Sequence, residues 1–232
     1  HLGVGVLHLQ RSAVGNDESG IEVCSVLDKR KQNYIVNKSE LPTGIVNIQV
    51  ENDNPVYEIK ENVAWDDIHL NSEAIQALKN ANAVCWGTLA QRSKISHMSI
   101  INALELVPDT ALKVFDINLR KQYFNKDIIE RSLVHAGLFK LNTDELNILK
   151  VMFNLSVKPD KACEQLITKY KLNYLALTQG SKGSTIYAEN GRSFIPAKRV
   201  KVIDTIGAGD SFTAIITVGI LTGKPLNQFH SE

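Results

Sequence analysis

Asp204-Thr205-Ile206-Gly207-Ala208-Gly209-Asp210 is a turn of small residues, and Ser211-Phe212-Thr213-Ala214-Ile215-Ile216-Thr217-Val218-Gly219-Ile220-Leu221 continues from it without a break. The second segment is apolar on nearly every side, which predicts a helix buried within a core. Gly223 and Pro225 mark its end. The N–H groups of Gly207, Ala208 and Gly209 are therefore expected at the mouth of a helix, unpaired and facing outward. Free amides and the positive end of a helix dipole attract anions, and glycines let an anion approach the backbone. Asp210 puts a carboxylate at the same spot, where a plain phosphate cradle would avoid one. It has a chemical use if it takes a proton from a hydroxyl that attacks a phosphoryl group. The plainer alternative is that Asp210 caps the helix, since Asp is a preferred cap. The residues of this stretch alone leave both open.

The rest of the composition narrows the possibilities. With 44% hydrophobic and 22% charged residues over 232 positions, the chain can bury one core, or a core with a small lid. A net charge of +1 gives no basis for a nucleic-acid or membrane surface. No apolar run is long enough to span a bilayer, and the N-terminus carries no secretory pattern. The 3 cysteines, Cys24, Cys85 and Cys163, are scattered, which predicts reduced thiols and a cytoplasmic protein. The 6 histidines lack metal-ligand spacing, so a zinc site is not expected. The chain opens at His1 without a methionine and stops at Glu232 just after a helix, so pieces are expected to be absent at both ends.

In order, residues 4–11 read as a strand and 12–20 as a loop entering a helix that Asp17 or Ser19 would cap. Lys29-Arg30-Lys31 reads as the solvated end of that helix. Alternation over 46–51, the turn Asn52-Asp53-Asn54-Pro55 and the returning 56–60 predict an antiparallel hairpin, a separate small sheet within 34–64. Trp65 is read as a core residue. From Ala83 the chain alternates regularly. Strands are predicted at 83–87, 112–117, 137–141 and 174–178, and helices at 94–107, 127–136, 144–153 and 160–170. Strand starts roughly 30 residues apart suit right-handed βαβ units. The expected architecture is α/β, a mainly parallel sheet covered by helices, with ligands at the C-terminal ends of its strands. A dinucleotide-binding oxidoreductase would need G-x-G-x-x-G, but Gly3-x-Gly5 has no third glycine.

The segments just past the strands carry the chemistry: Asp116-Ile117-Asn118-Leu119-Arg120, then Asn142-Thr143-Asp144-Glu145, then Thr178-Gln179-Gly180-Ser181-Lys182-Gly183, and then the Asp204 turn. Each has a plain reading. Asn142 or Thr143 caps a helix, Gly180 and Gly183 make a hairpin turn, and Arg120 is a surface charge. Capping does not account for all of them together on the ligand-binding edge.

Asp-Thr-Ile-Gly-Ala-Gly-Asp-Ser-Phe over 204–212 resembles the C-terminal signature of the PfkB (ribokinase-like) family of sugar and nucleoside kinases. The other pieces resemble the family's pattern in the same order. Val14-Gly15-Asn16-Asp17 is similar to its V-G-x-D stretch, Asp116-x-Asn118-x-Arg120 to D-x-N-x-R, and Asn142-x-x-Glu145 to N-x-x-E. The resemblance runs from about Val14 to the C-terminus and is strongest over 116–221. It implies a ribokinase-like three-layer α/β/α sandwich, one kinase domain over 1–232, with 34–64 as a β lid over the sugar.

It also implies roles. Asp210 would be the base, the amides of Gly207, Ala208 and Gly209 the anion hole, and Arg120 a group reaching the transferred phosphate. Asn142, Glu145, Thr178, Gly180 and Gly183 would serve the nucleotide phosphates, with Glu145 handling Mg²⁺ largely through water, as suits an ion that keeps its waters. Asp204 and the carbonyl of Ile206 match the position of a monovalent cation, K⁺. The implied activity is ATP-dependent phosphorylation of a sugar hydroxyl. Val63-Ala64-Trp65-Asp66 resembles an Ala-Trp-Asp stretch of fructokinase-like members and points to fructose. Ribose, 2-keto-3-deoxygluconate and nucleosides are the alternatives, because the family's Gly-Gly sugar-binding motif is not in this chain. A non-catalytic sugar-binding relative is the remote alternative, and it should have lost Asp210 or the glycines. A small-molecule sugar partner is implied, with neither nucleic acid nor membrane, and an exposed face on the lid sheet would favour a homodimer through the lid.

Overall fold

The computed structural model describes residues 9–51, 54–189, 191–198 and 207–231. The chain divides into two compact units, one from residues up to Lys79 together with Ala90–Leu106, the other from Asn80–Leu89 and Val107 onward. Residues 4–8 of the first predicted strand lie outside the described residues.

The first unit opens with a βαβ element. Strand β1 (Leu9–Gly15) pairs in parallel with β2 (Asn33–Ser39), and α1 (Glu18–Lys29) connects them. The strand continues to Gly15, through the stretch expected to be a loop. Ser12, Ala13 and Val14 pair with Val36, Asn37 and Lys38, and Ala13 and Val14 are buried. Of the two candidate caps, Asp17 is the one used. Its carboxylate accepts from Gly20 N–H at 2.8 Å, and also from Thr43 N–H at 2.7 Å, tying the segment after β2 to the start of α1. The predicted hairpin is present as β3 (Val46–Glu51) and β4 (Asn54–Ile59), antiparallel from Val46↔Ile59 to Glu51↔Asn54. Helices α2 (Ser72–Lys79) and α3 (Lys94–Leu106) complete the unit. Trp65 is half-buried: a Cβ on Gly44 would lie 2.1 Å from its ring, and the Arg92 guanidinium sits 5.6 Å from the ring centroid. Arg92 is in turn forked onto the Asp66 carboxylate at 2.7 and 2.8 Å. These contacts give Trp65 a packing role, as expected.

The second unit is a six-stranded sheet of β5 (Ala83–Trp86), β6 (Leu112–Asp116), β7 (Leu138–Asn142), β8 (Tyr174–Thr178), β9 (Ser184–Ala188) and β10 (Gly191–Ile195), ordered β10-β9-β8-β7-β6-β5. β5 through β8 are parallel, while β9 and β10 are added antiparallel. Helices α4 (Lys126–His135), α5 (Thr143–Met152) and α6 (Pro159–Tyr170) lie against β6, β7 and β8. Alternation along the strands sorts the core. Val114, Leu138, Ala176 and Ile186 face Ile216 of α7 (Ala208–Leu221) and Phe229 of α8 (Leu226–Ser231). Phe115 and Phe139 alternate to the other face, where their rings and that of Trp86 stack at 5.4 and 5.7 Å. A mainly parallel sheet with helices, and a separate small antiparallel sheet, is the α/β fold expected.

One expectation is corrected. α7 is not apolar-buried on all sides among the described residues: Thr213, Ile216 and Gly219 are buried, whereas Ile215 and Leu221 are exposed. A helix lying on one face of a sheet buries one stripe. Gly219 marks the tightest point of that stripe, since a Cβ there would sit 2.1 Å from Phe229 Cβ.

Candidate active site

Register puts the polar residues in a row. Asp116 pairs with Lys140, Asn142 with Thr178, and Thr178 with Ser184, so the ends of β6, β7, β8 and the start of β9 form one edge. β7 is central and buried along most of its length, and Lys140 is among its buried residues. Its ammonium lies 3.0 Å from Asp116 Oδ1, and the two residues are only 6% and 7% exposed. Both alternate to the face that α7 covers, two residues beyond Leu138 and Val114. The Thr213 hydroxyl on α7 donates to Asp116 Oδ2 at 2.7 Å and also lies 3.0 Å from the Gly209 carbonyl. A Cβ on Gly209 would stand 3.0 Å from Lys140 Nζ. The ion pair thus sits under the first turn of α7. Sequence reasoning missed Lys140 and Thr213. The available signal was a lysine between Phe139 and Leu141 in a strand with no wet face.

The mouth of α7 is the turn read from the sequence. Gly207 has φ 76°, a left-handed conformation that side chains disfavour, and Ser211 N–H closes the first helical bond to its carbonyl at 2.9 Å. The first N–H groups of any helix lack intrahelical partners, which leaves Ala208, Gly209 and Asp210 to present theirs. Asp210 is in this first turn and exposed. Gly207 holds the N-cap position, so Asp210 stands inside the first turn and not at the cap. Asp204 and Ile206 lie outside the described residues.

The other two motifs are joined by Glu145. Asn142 caps α5 by accepting from Glu145 N–H at 2.9 Å, and Glu145 Oε2 accepts from Asn142 N–H at 2.7 Å, a reciprocal capping box. Glu145 Oε1 accepts from Leu119 N–H at 2.9 Å, which pins the loop after β6. In that loop Asn118 has φ 43°, a conformation Asn tolerates, and Arg120 is exposed with Nη1 donating to its neighbour Leu119's carbonyl at 3.2 Å. Thr178 ends β8, and the Thr143 hydroxyl approaches its carbonyl at 3.4 Å. Gly180 (φ 56°) and Gly183 (φ 111°) form the turn into β9, as the plain reading had it, closed by Gln179 N–H donating to Gly183 O at 2.8 Å.

The profile of the pfkB family carbohydrate kinases matches residues 11–229. The chain belongs to this family. Its members are phosphotransferases with an alcohol group as acceptor. The uncharacterized sugar kinase PH1459 of Pyrococcus horikoshii is 27% identical over 232 residues, 97% of this chain and 71% of that protein. Its crystal structure in complex with ATP superposes with a TM-score of 0.79, covering 97% of this chain and 72% of that one at 25% identity. A 5-dehydro-2-deoxygluconokinase of Clostridium beijerinckii is 22% identical over 206 residues, 85% of this chain and 60% of that protein. A fructokinase of Klebsiella pneumoniae is 27% identical over 139 residues, 57% of this chain but only 44% of that enzyme.

Mg²⁺ accompanies nucleotide in phosphoryl transfer. Among the described residues no group of three or more His, Cys, Asp or Glu is placed to hold a metal ion. Glu145 is 5% exposed and each of its oxygens already accepts one backbone N–H. One lone pair per oxygen is left, which fits an ion held through its own waters.

Proposed function

We propose that this pfkB family kinase transfers the γ-phosphoryl group of ATP to a sugar hydroxyl, with fructose as first candidate. The supporting observation is the edge itself: a helix mouth that opens at Gly207 and bears Asp210 above a buried Lys140–Asp116 pair, beside the box that Asn142 and Glu145 make. Asp210 accepts the proton of the sugar hydroxyl as that oxygen bonds to the γ-phosphorus and the bond to the ADP oxygen breaks. The N–H groups of Gly207, Ala208 and Gly209 stabilise the charge on the transferring group, and Arg120 shares it. Asn142, Thr178, Gly180 and Gly183 bind the nucleotide phosphates. Glu145 would hold Mg²⁺ through water, and the ion would supply charge neutralisation at the phosphates. Asp204 and the Ile206 carbonyl remain the proposed seat of K⁺.

The choice of fructose rests on the Ala64-Trp65-Asp66 stretch and the fructokinase relative. Ribose, 2-keto-3-deoxygluconate and nucleosides are the alternatives, and the gluconokinase relative adds 5-dehydro-2-deoxygluconate. The hairpin β3–β4 is proposed as the lid and as a homodimer surface, in a cytoplasmic enzyme. Among the described residues no helix is long and apolar enough to cross a membrane. The test is coupled ADP release with Mg·ATP and each acceptor separately, adenosine included. Saturable, acceptor-dependent release with fructose is expected. Release with a different acceptor would reassign the substrate, and ATP binding without turnover on any of them would support the non-catalytic alternative.

A further inference from the structure

The geometry points to Thr213, Asp116 and Lys140 as a positioning chain that fixes the first turn of α7, and with it Asp210, to the ends of β6 and β7. The chain is continuous in space. Lys140 Nζ is 3.0 Å from Asp116 Oδ1, Thr213 Oγ1 is 2.7 Å from Asp116 Oδ2, and the same hydroxyl is 3.0 Å from the carbonyl of Gly209, the residue before Asp210. Lys140 Nζ fills the space that a side chain on Gly209 would take.

Packing alone does not call for charge here. Two residues earlier on the same strands and the same face, Val114 and Leu138 are fully buried and apolar, and Ile216 covers them from α7. An apolar group of similar volume in place of a buried ion pair is often as stable or more so. What a hydrogen-bonded pair adds is direction: the Asp116 carboxylate has one oxygen on each partner, so it fixes both the rotation and the height of α7 over the sheet. Gly207, at the N-cap of α7, has no side chain to do this instead. Thr213 is one helical turn from Asp210, so a rotation at Thr213 is carried directly to the proposed base. A base displaced by about 1 Å can lose on the order of 100-fold in rate.

The kinetic half of the inference rests on the kinase reading; the mechanical half does not. The experiment therefore has two arms on the intact protein, comparing wild type with Thr213→Val, Thr213→Ser and Thr217→Val. Thr217 is the control, since among the described residues its hydroxyl bonds along the helix, to the Thr213 carbonyl at 2.7 Å. The first arm measures kcat and KM for ATP by ADP release. Thr213→Val should lower kcat by about 10- to 100-fold with KM for ATP nearly unchanged, the pattern of a group that acts in the transition state. Thr213→Ser should recover most of kcat, and Thr217→Val should match wild type. The second arm measures amide hydrogen exchange at Ser211, whose N–H closes the first helical bond of α7 onto the Gly207 carbonyl, and over the turn that follows it, which should quicken in Thr213→Val alone. Unchanged kcat and unchanged exchange in Thr213→Val would overturn the inference. So would a loss confined to melting temperature, with kcat of the folded enzyme intact. If the wild-type protein releases no ADP with any acceptor, the kinase reading fails, and the exchange arm alone decides for or against the chain.

Discussion

Glu145 shows how much one side chain can organise. Its two oxygens accept backbone N–H groups from two motifs that are 26 residues apart at the farther pair, Leu119 and Glu145. A glutamine there keeps the shape but offers one acceptor in place of two, so one of these buried N–H groups goes unpaired. Glu145→Gln should cost about 1–3 kcal/mol in denaturant unfolding. It should also slow ADP release, because the loop that carries Arg120 is released. Gly183 is constrained differently. With φ 111° and the Ile195 carbonyl 2.0 Å from where a Cβ would be, Gly183→Ala strains the backbone by about 1–3 kcal/mol before the overlap is counted. The expected result is a lower unfolding midpoint and weaker ATP binding, measured by calorimetry. Asp210, Glu145 and Gly183 were legible in the sequence because each belongs to a short motif with fixed spacing. Thr213 and Lys140 were not. The Thr213–Asp116 bond joins residues 97 apart in the chain, and no local pattern announces it.

At the scale of elements, boundaries followed local chemistry wherever caps and prolines punctuate the chain. Asn125 accepts from Ile128 N–H and starts α4, Asn142 starts α5, and Pro159 stands at the start of α6. The ends of β1 and the exposed side of α7 were set instead by partners distant in sequence, β2 and the sheet, which periodicity does not reveal. α8 carries a further such arrangement. His230 is buried between the Ser184 and Ser193 hydroxyls, each 2.8 Å from a ring nitrogen, and so joins α8 to β9 and β10. Burial holds its pKa below the ordinary value, so the folded state prefers the neutral ring. The unfolded chain takes up the proton near pH 6.5, and below that it binds more protons than the folded chain does. This group's contribution is therefore level above about pH 6.5 and is lost as the pH falls from there toward the folded pKa. Equilibrium unfolding between about pH 5 and pH 8 should show stability decreasing on the acid side, with a shallower slope in His230→Gln. Parallel slopes for the two proteins would assign the pH dependence to other groups.

For the molecule as a whole, the family could be read from ordered motifs, because each is short and has a fixed spacing. The acceptor could not. Sugar hydroxyls are gripped by residues whose identity varies with the sugar, and the chain spans 71%, 60% and 44% of the three relatives described above. The proposed chemistry is narrower than the sugar's name: the carboxylate at the mouth of α7 moves the proton while the surrounding amides bind phosphate. Acceptor-dependent ADP release by wild type and Asp210→Asn, with ATP affinity measured on both, tests that division of labour. A loss of about 10²–10⁴-fold in turnover with ATP binding retained is expected. Comparable turnover in the two proteins would remove Asp210 from the role of base.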